Sequence, residues 1–284
     1  GEDNSIVSAW SFDIKSRRTQ QLNIPLAEDG YMPRILSTED PDKIVIFTMN
    51  RHQDVLNLYS VNPRSTVSKL LIKESVPKYV KEETLDNIRL GKDYILLPSD
   101  RDGFMQLYLY SGTGTLKRKI GDGKFDITNV YGVDEKTGDV YYQAAALNAH
   151  DRQIYVSHTN GKVERLTNQE GWNTAIFSGD YQYFVNTWSD YNTPYVYTTR
   201  KSDGKIIATN VDNHELKAKT QQYGWSKREA FSFTTSEGIK LDGWIVKPAQ
   251  FNASKKYPVI MYQYSGPGSQ QVINSWSAGA MGQG

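Results

Sequence analysis

The chain has 284 residues, enough for one large domain or two smaller ones, and no cysteine, which excludes disulfides, a thiol nucleophile and zinc–thiolate sites. Its 33 basic and 32 acidic residues leave a net charge of +1, with no basic stripe for nucleic acid and no acidic tail. No run approaches the roughly 18 apolar residues of a membrane-spanning helix. The 19 tyrosines, within an aromatic content of 12%, favour strands over helices.

Residues 5–24, with Val7-Ser8-Ala9-Trp10-Ser11-Phe12, read as the outer part of a partial blade that precedes four others. Short β-branched and aromatic runs then recur in sets of similar order. The first set is Ile44–Phe47, Leu56–Tyr59 and Ser68–Leu71. The second is Tyr94–Leu97, Leu107–Tyr110 and Thr115–Arg118, after the turn Gly91-Lys92-Asp93. The third is Val140–Tyr142, Ile154–Ser157 and Lys162–Leu166, after Thr137-Gly138-Asp139. The fourth is Tyr181–Val185, Tyr195–Thr198 and Lys205–Ala208, after Ser178-Gly179-Asp180. Tyr59, Tyr108, Tyr155 and Val196 take equivalent places, which sets a period of roughly 40 to 50 residues. Four strands at that period is the propeller signature. One small sheet cannot cover its own faces, and stacking blade on blade buries them.

Residues 1–213 are therefore expected to be all-β, part of a β-propeller of about four to five four-stranded blades. Residues 214–228 form a polar linker with the only short helical turn. Phe231–Thr234 and Ile239–Val246 then alternate around Ser236-Glu237-Gly238, a hairpin. Val259–Tyr262 is an unbroken apolar run before Gly266-Pro267-Gly268, which reads as a strand buried on both faces that stops at the carboxyl edge of a sheet. Residues 229–284 are thus expected to open a second, α/β domain that is truncated. With such trimming, the lack of a leader says nothing about compartment.

Most other motifs have bland readings. His52, His150, His158 and His214 lack ligand spacing and are expected to be structural. Ser99-Asp100-Arg101-Asp102-Gly103 is too short for a calcium loop and is expected to be a blade hairpin holding an Arg–Asp pair. Gly112, Gly114, Gly121 and Gly123 sit in hairpin turns and not between a strand and a helix, so they form no phosphate loop. Tyr and Trp on strands belong to the core between blades, with a few free to line a channel. Asn252-Ala253-Ser254 is a formal glycosylation sequon of the kind expected by chance. No metal or cofactor is implied.

The run Phe231–Gly238, Gly243-Trp244, Lys247-Pro248, Lys255-Lys256-Tyr257-Pro258 and Tyr264-Ser265-Gly266-Pro267-Gly268-Ser269-Gln270 resembles the start of the hydrolase domain in the prolyl oligopeptidase family of serine peptidases, dipeptidyl-peptidase IV branch. The repeats resemble that branch's propeller, including Asn50-Arg51-His52-Gln53 and Ser99–Phe104. The resemblance implies an eight-bladed propeller capping an α/β-hydrolase domain with a Ser-Asp-His triad. It implies release of di- or tripeptides from peptide N-termini, typically after proline, and a periplasmic or extracellular setting. It places Tyr264 at the oxyanion-hole tyrosine. The nucleophile elbow is missing: Ser275-Trp276-Ser277-Ala278-Gly279 follows no apolar strand. Glu82-Glu83 does not match the family's amino-terminus-binding pair, which sits in a Tyr-Glu-Glu context. The chain alone is therefore expected to be inactive, with open blade faces that drive self-association as a homodimer. The alternative reading is a non-catalytic propeller module that binds peptide or glycan.

Overall fold

The computed structural model describes residues 5–264, 266 and 268–276. A hairpin of β1 (Trp10–Asp13) and β2 (Arg18–Gln21) comes first. Blade I follows as β3 (Ile35–Ser37), β4 (Ile44–Met49), β5 (Val55–Val61) and β6 (Ser68–Ser75). The short helix α1 (Glu82–Asn87) leads into blade II: β7 (Arg89–Leu90), β8 (Tyr94–Ser99), β9 (Gln106–Ser111) and β10 (Leu116–Ile120). Blade III is β11 (Ile127–Val133), β12 (Val140–Ala144), β13 (Gln153–Ser157) and β14 (Val163–Arg165). Blade IV is β15 (Trp172–Phe177), β16 (Tyr183–Ser189), β17 (Val196–Lys201) and β18 (Ile206–Val211). Helix α2 (His214–Gln222) precedes a hairpin of β19 (Arg228–Thr234) and β20 (Lys240–Val246).

In all four blades each strand pairs with the next in sequence. Neighbouring strands can run antiparallel because a short turn suffices to join them. The repeat read from the sequence is thus the blade repeat, preceded by a two-stranded hairpin. Helix α1 was not expected; it begins on Glu82 and Glu83, whose charges suit a helix N-terminus.

The chain divides into two compact units, residues 1–130 and 131–284. In the first, Ala9 and Leu22 beside the hairpin pack on Ile46, Tyr59 and Val61 of blade I. The opposite face of blade I (Val45, Phe47, Leu56, Leu58) joins Ile95, Leu97, Tyr108 and Tyr110 of blade II in one core. In the second, Tyr141, Ile154 and Val156 of blade III pack against Ala175 and Phe184 of blade IV. Phe177 lies 4.7 Å from the Tyr141 ring and 4.8 Å from that of Phe184. Each blade thus buries a face that it could not cover by itself.

In blades II and IV the turn between the last two strands comes close to the preceding blade. Gly114 (φ +89°) and Gly204 (φ +86°) supply the left-handed residue there. A Cβ on Gly114 would run into the carbonyl of Leu71 on β6, and one on Gly204 into that of Leu166.

These turns also correct a register. Asn62, Ser111, His158 and Lys201 close the equivalent turns through their N–H groups. Three residues earlier stand Tyr59, Tyr108, Tyr155 and, in blade IV, Thr198 and not Val196. Thr198 is buried there and accepts a hydrogen bond from Arg200 Nε at 3.1 Å. Val196 lies two residues up the same face, so its alternation was compatible with either alignment.

Two further expectations change. Val259, Ile260 and Met261 are 84%, 94% and 86% exposed and form no strand, although their composition is that of a buried one. A strand needs a neighbour for its backbone groups, and none pairs with this run among the described residues. In the Ser99–Gly103 loop, Arg101 does not pair with its flanking aspartates. It reaches the Glu74 carboxylate at the end of β6, while Asp100 pairs with Lys81 at 2.9 Å and Asp102 with Lys119 at 2.5 Å. Glu74, 1% exposed, also accepts from the Ser99 hydroxyl. The Arg101 guanidinium lies 4.0 Å over the Tyr108 ring, and the Tyr108 hydroxyl donates to Asp102 at 2.6 Å. Burial pushes the Glu74 carboxyl up, against the opposing pull of Ser99 and Arg101.

E74A would leave Arg101 and Ser99 without their acceptor in a low-dielectric seam. It is expected to lower unfolding free energy by about 3 kcal/mol, read as a fall in the urea midpoint; E74Q, which keeps an acceptor, is expected to cost less than half of that.

Candidate functional site

All site residues below lie in the second unit. The loop between β12 and β13 is shaped by Asn148, whose Oδ1 accepts from the N–H groups of His150 (3.0 Å) and Asp151 (2.7 Å). Its amide donates to Asp151 Oδ2 at 2.8 Å. This local ring of hydrogen bonds is what Asn does in a turn. It fixes a buried aspartate whose second oxygen is left for another donor. The next residue, Arg152, is buried as well. Its Nη1 donates to the carbonyls of Ala149 (2.9 Å) and Asp151 (2.8 Å), and its guanidinium lies 4.5 Å over the Trp172 ring.

The segment after the Gly/Pro break seats on this loop. Gln270 Oε1 accepts from Arg152 Nη2 at 2.6 Å, and Gln270 Nε2 donates to Ala149 O at 2.6 Å. Asn274 donates from its backbone to His150 O and from its side chain to Asp151 Oδ1, both at 2.8 Å. Its own Oδ1 accepts from the Tyr191 N–H at 2.9 Å. Ser275 Oγ meets Ser189 Oγ at 3.1 Å, and Trp276 N donates to the same hydroxyl at 3.0 Å. The Tyr195 hydroxyl closes the row on Trp276 O at 3.1 Å.

The hairpin β19–β20 joins the same cluster. Asn192 and Arg228 exchange hydrogen bonds at 3.0 and 2.9 Å. Arg228 lies 4.8 Å over the Trp244 ring, and Trp244 Nε1 donates to Gln271 O at 3.4 Å. His150 Nδ1 stands 3.6 Å from Asp242 Oδ2, an ion pair when the imidazole is protonated. Burial, reinforced by the charges of Asp151 and Asp242, pushes the Tyr191 phenol up to about 12. Burial holds the Arg228 guanidinium below its usual range, with Tyr191 opposing.

Tyr264 lies just before this seat and is 61% exposed. Its ring folds over Gly266: a Cβ there would lie 3.0 Å from both Cε1 and the hydroxyl. Ser269 N donates to Gly266 O at 3.2 Å. Ser275 touches a serine and no imidazole. Ser277, Ala278 and Gly279 lie outside the described residues, as do Ser265 and Pro267.

The other sequence candidates take structural places. His158 faces Asp139 (2.9 Å), His214 faces Asp212 (2.7 Å), and His52 is exposed in a turn. Among the described residues no His, Asp and Glu group together as metal ligands. Gly112 and Gly123 donate backbone hydrogen bonds within blade II, to Asp93 O and to Gln106 Oε1. Asn252 Oδ1 accepts from the N–H and hydroxyl of Ser254 in a local turn. His150 was expected to be structural and does sit in the cluster, next to Asp151, Arg152 and Tyr191. None of these last three stood out in the sequence; the one local signal was Asn148 three residues before a buried Asp-Arg pair.

Four meander blades, followed by a hairpin and a segment seated on polar side chains, define a section of β-propeller. Residues 1–195 match the family model of the dipeptidyl peptidase IV (DPP IV) N-terminal region, and the chain belongs to that family. It is similar to the crystal structure of Porphyromonas gingivalis dipeptidyl peptidase 4, with a TM-score of 0.93 and 36% identity, over 98% of this chain and 40% of that one. A putative dipeptidyl aminopeptidase IV from Bacteroides ovatus shares the fold, at a TM-score of 0.80 and 22% identity, over 95% of this chain and 41% of that one. Dipeptidyl peptidase 4 of Trichophyton rubrum is 28% identical over 247 residues, which is 84% of this chain and 32% of that protein. The chain thus spans about a third of the length of such curated relatives. No helix among the described residues is long and apolar enough to cross a membrane.

N274A removes the side-chain donor and the side-chain acceptor, keeps the backbone donor to His150 O, and takes from Asp151 Oδ1 its Asn274 partner. It is expected to raise amide exchange at Ser275 and Trp276 by about 10- to 100-fold, in line with a loss of about 1–3 kcal/mol, whereas S254A leaves those amides unchanged. Tyr191 gives a pH dependence. Its folded value of about 12 exceeds the usual 10, so its stabilising contribution is complete below pH 10 and is lost as pH rises toward 12. In Y191F the fall of the urea midpoint between pH 10 and 12 should be shallower; an unchanged slope would contradict this origin.

Proposed function

We propose that these residues work within a longer serine dipeptidyl peptidase, as a section of its propeller (1–213), a linker (214–228) and the start of its α/β-hydrolase domain (229–284). The observation that carries this reading is the seat itself. The stretch Tyr264-Ser265-Gly266-Pro267-Gly268-Ser269-Gln270 runs directly into a segment hydrogen-bonded to blades III and IV. A peptide substrate fits this reading, with the propeller section shaping access and di- or tripeptides released from N-termini, typically after proline. The Ser, Asp and His of the reaction belong outside these 284 residues.

Tyr264 is the group that the chain itself would bring to catalysis. As a nucleophile adds to the scissile carbonyl, its oxygen gains negative charge. A phenol held near that oxygen donates a hydrogen bond that strengthens as the charge develops, so it lowers the barrier more than it tightens substrate binding. Tyr264 is 61% exposed, which supports access of a substrate to its side chain. Its exposed neighbours Val259, Ile260 and Met261 need cover, which supports pairing with hydrolase strands. The exposed Ile176 and Val185, paired side by side on blade IV, support self-association as a homodimer. A periplasmic or extracellular setting goes with the same family reading.

The test is hydrolysis of Gly-Pro-p-nitroanilide. In the longer enzyme Y264F should lower kcat by about 10²- to 10³-fold with KM nearly unchanged. The 284-residue chain alone should show no turnover. An undiminished kcat in Y264F would remove the oxyanion role, and turnover by the short chain would overturn the division of labour.

A further inference from the structure

We propose that Arg152, acting through Gln270, is a positioning residue for Tyr264. The proposal rests on the oxyanion reading of Tyr264 and goes beyond it, because it assigns the precision of that group to the propeller section. Tyr264 is mostly exposed, and its ring leans on Gly266. Gly266 is tied by a turn to Ser269 at 3.2 Å, and the next residue is Gln270. Among the described residues, Gln270 is the first side chain after Tyr264 with a hydrogen bond to a blade loop.

Both ends of the Gln270 amide are used. Its oxygen accepts from Arg152 at 2.6 Å, and its nitrogen donates to Ala149 O at 2.6 Å and Val272 O at 3.0 Å. The amide therefore cannot rotate without breaking contacts at both ends. Arg152 is immobilised in turn. Its backbone N–H donates to Gly171 O and its carbonyl accepts from Asn173 N, both at 3.0 Å, which stitches it between β13 and β15. Its Nη1 holds two carbonyls, and Trp172 lies under its plane. A guanidinium serves three acceptors in fixed directions; an ammonium is a point charge and does not.

The chemistry explains why such an anchor matters. A hydrogen bond to a developing oxyanion is worth its full effect only within a few tenths of an ångström of the right place, and a misplacement of about 1 Å can cost on the order of 100-fold in rate. An exposed tyrosine on a Gly/Pro loop has no packing of its own to supply that precision. A short tether to a buried, stacked arginine supplies it.

The experiment is a double-mutant cycle in the longer enzyme, with Gly-Pro-p-nitroanilide as substrate. R152A and Q270A should each lower kcat by about 10-fold or more, with KM within about threefold. In the Y264F background the same substitutions should lower kcat by less than about twofold, because the group they position is already gone. Equal losses in both backgrounds, with Y264F itself impaired, would overturn the positioning role and leave the oxyanion reading standing. An unimpaired Y264F would overturn both. Q270A breaks the tie and leaves Arg152 its contacts with Ala149 O, Asp151 O and Trp172, so it decides the matter even where R152A fails to fold, as judged by its thermal midpoint. A Q270A kcat equal to wild type would also overturn the proposal.

Discussion

Burial of blade faces is the constraint on which everything else here depends. A four-stranded antiparallel sheet of this size has two broad faces and no means to cover either. Apolar residues therefore line the facing sides of blades I and II and of blades III and IV, and stability comes from the neighbouring blade. Val45, Phe47, Leu56 and Leu58 of blade I would be a solvent liability without Ile95, Leu97 and Tyr108 of blade II. Polar atoms caught in such seams must be matched, because an unmatched one costs about 1–3 kcal/mol. Glu74, Ser99 and Arg101 form one such matched set, and Asp151 with Asn148 and Asn274 forms another.

The seat of the C-terminal segment follows a different logic. Among the contacts that hold residues 270–276, amides, hydroxyls and a carboxylate dominate, with Trp276 near Trp225 (6.4 Å) as the aromatic addition. Hydrogen bonds are directional, whereas apolar burial is not. A polar seat therefore fixes register: Asn274 satisfies His150 O, Asp151 and Tyr191 at once, and sliding the segment by one residue would break all three. That specificity suits the positioning role proposed for the segment.

Much of the fold was legible in the sequence because its signals are local. Period, turn residues and alternation located all four blades and the hairpin β19–β20. Register was harder. Val196 and Thr198 lie on one face of β17, and only the hydrogen bond that closes the turn at Lys201 distinguishes them. The partner of Arg101 was misjudged because proximity in sequence favoured Asp100 and Asp102, while the true partner, Glu74, sits on the preceding blade. The apolar run Val259–Met261 has the composition of a buried strand, but composition cannot supply the strand beside it. The candidate site was legible at Tyr264 alone, through its motif. Arg152 and Gln270 are separated by 118 residues, and no local pattern joins an arginine on a blade loop to a glutamine beyond a Gly/Pro turn.

The glycine turns at Gly114 and Gly204 carry a last consequence. Each lets a turn touch the backbone of the preceding blade, Leu71 in one case and Leu166 in the other. Those contacts act as feeler gauges, setting the gap between adjacent sheets by backbone thickness and not by side-chain size. A single methyl at either glycine would open its gap by about the width of that methyl, because what it meets is backbone and not the yielding end of a side chain.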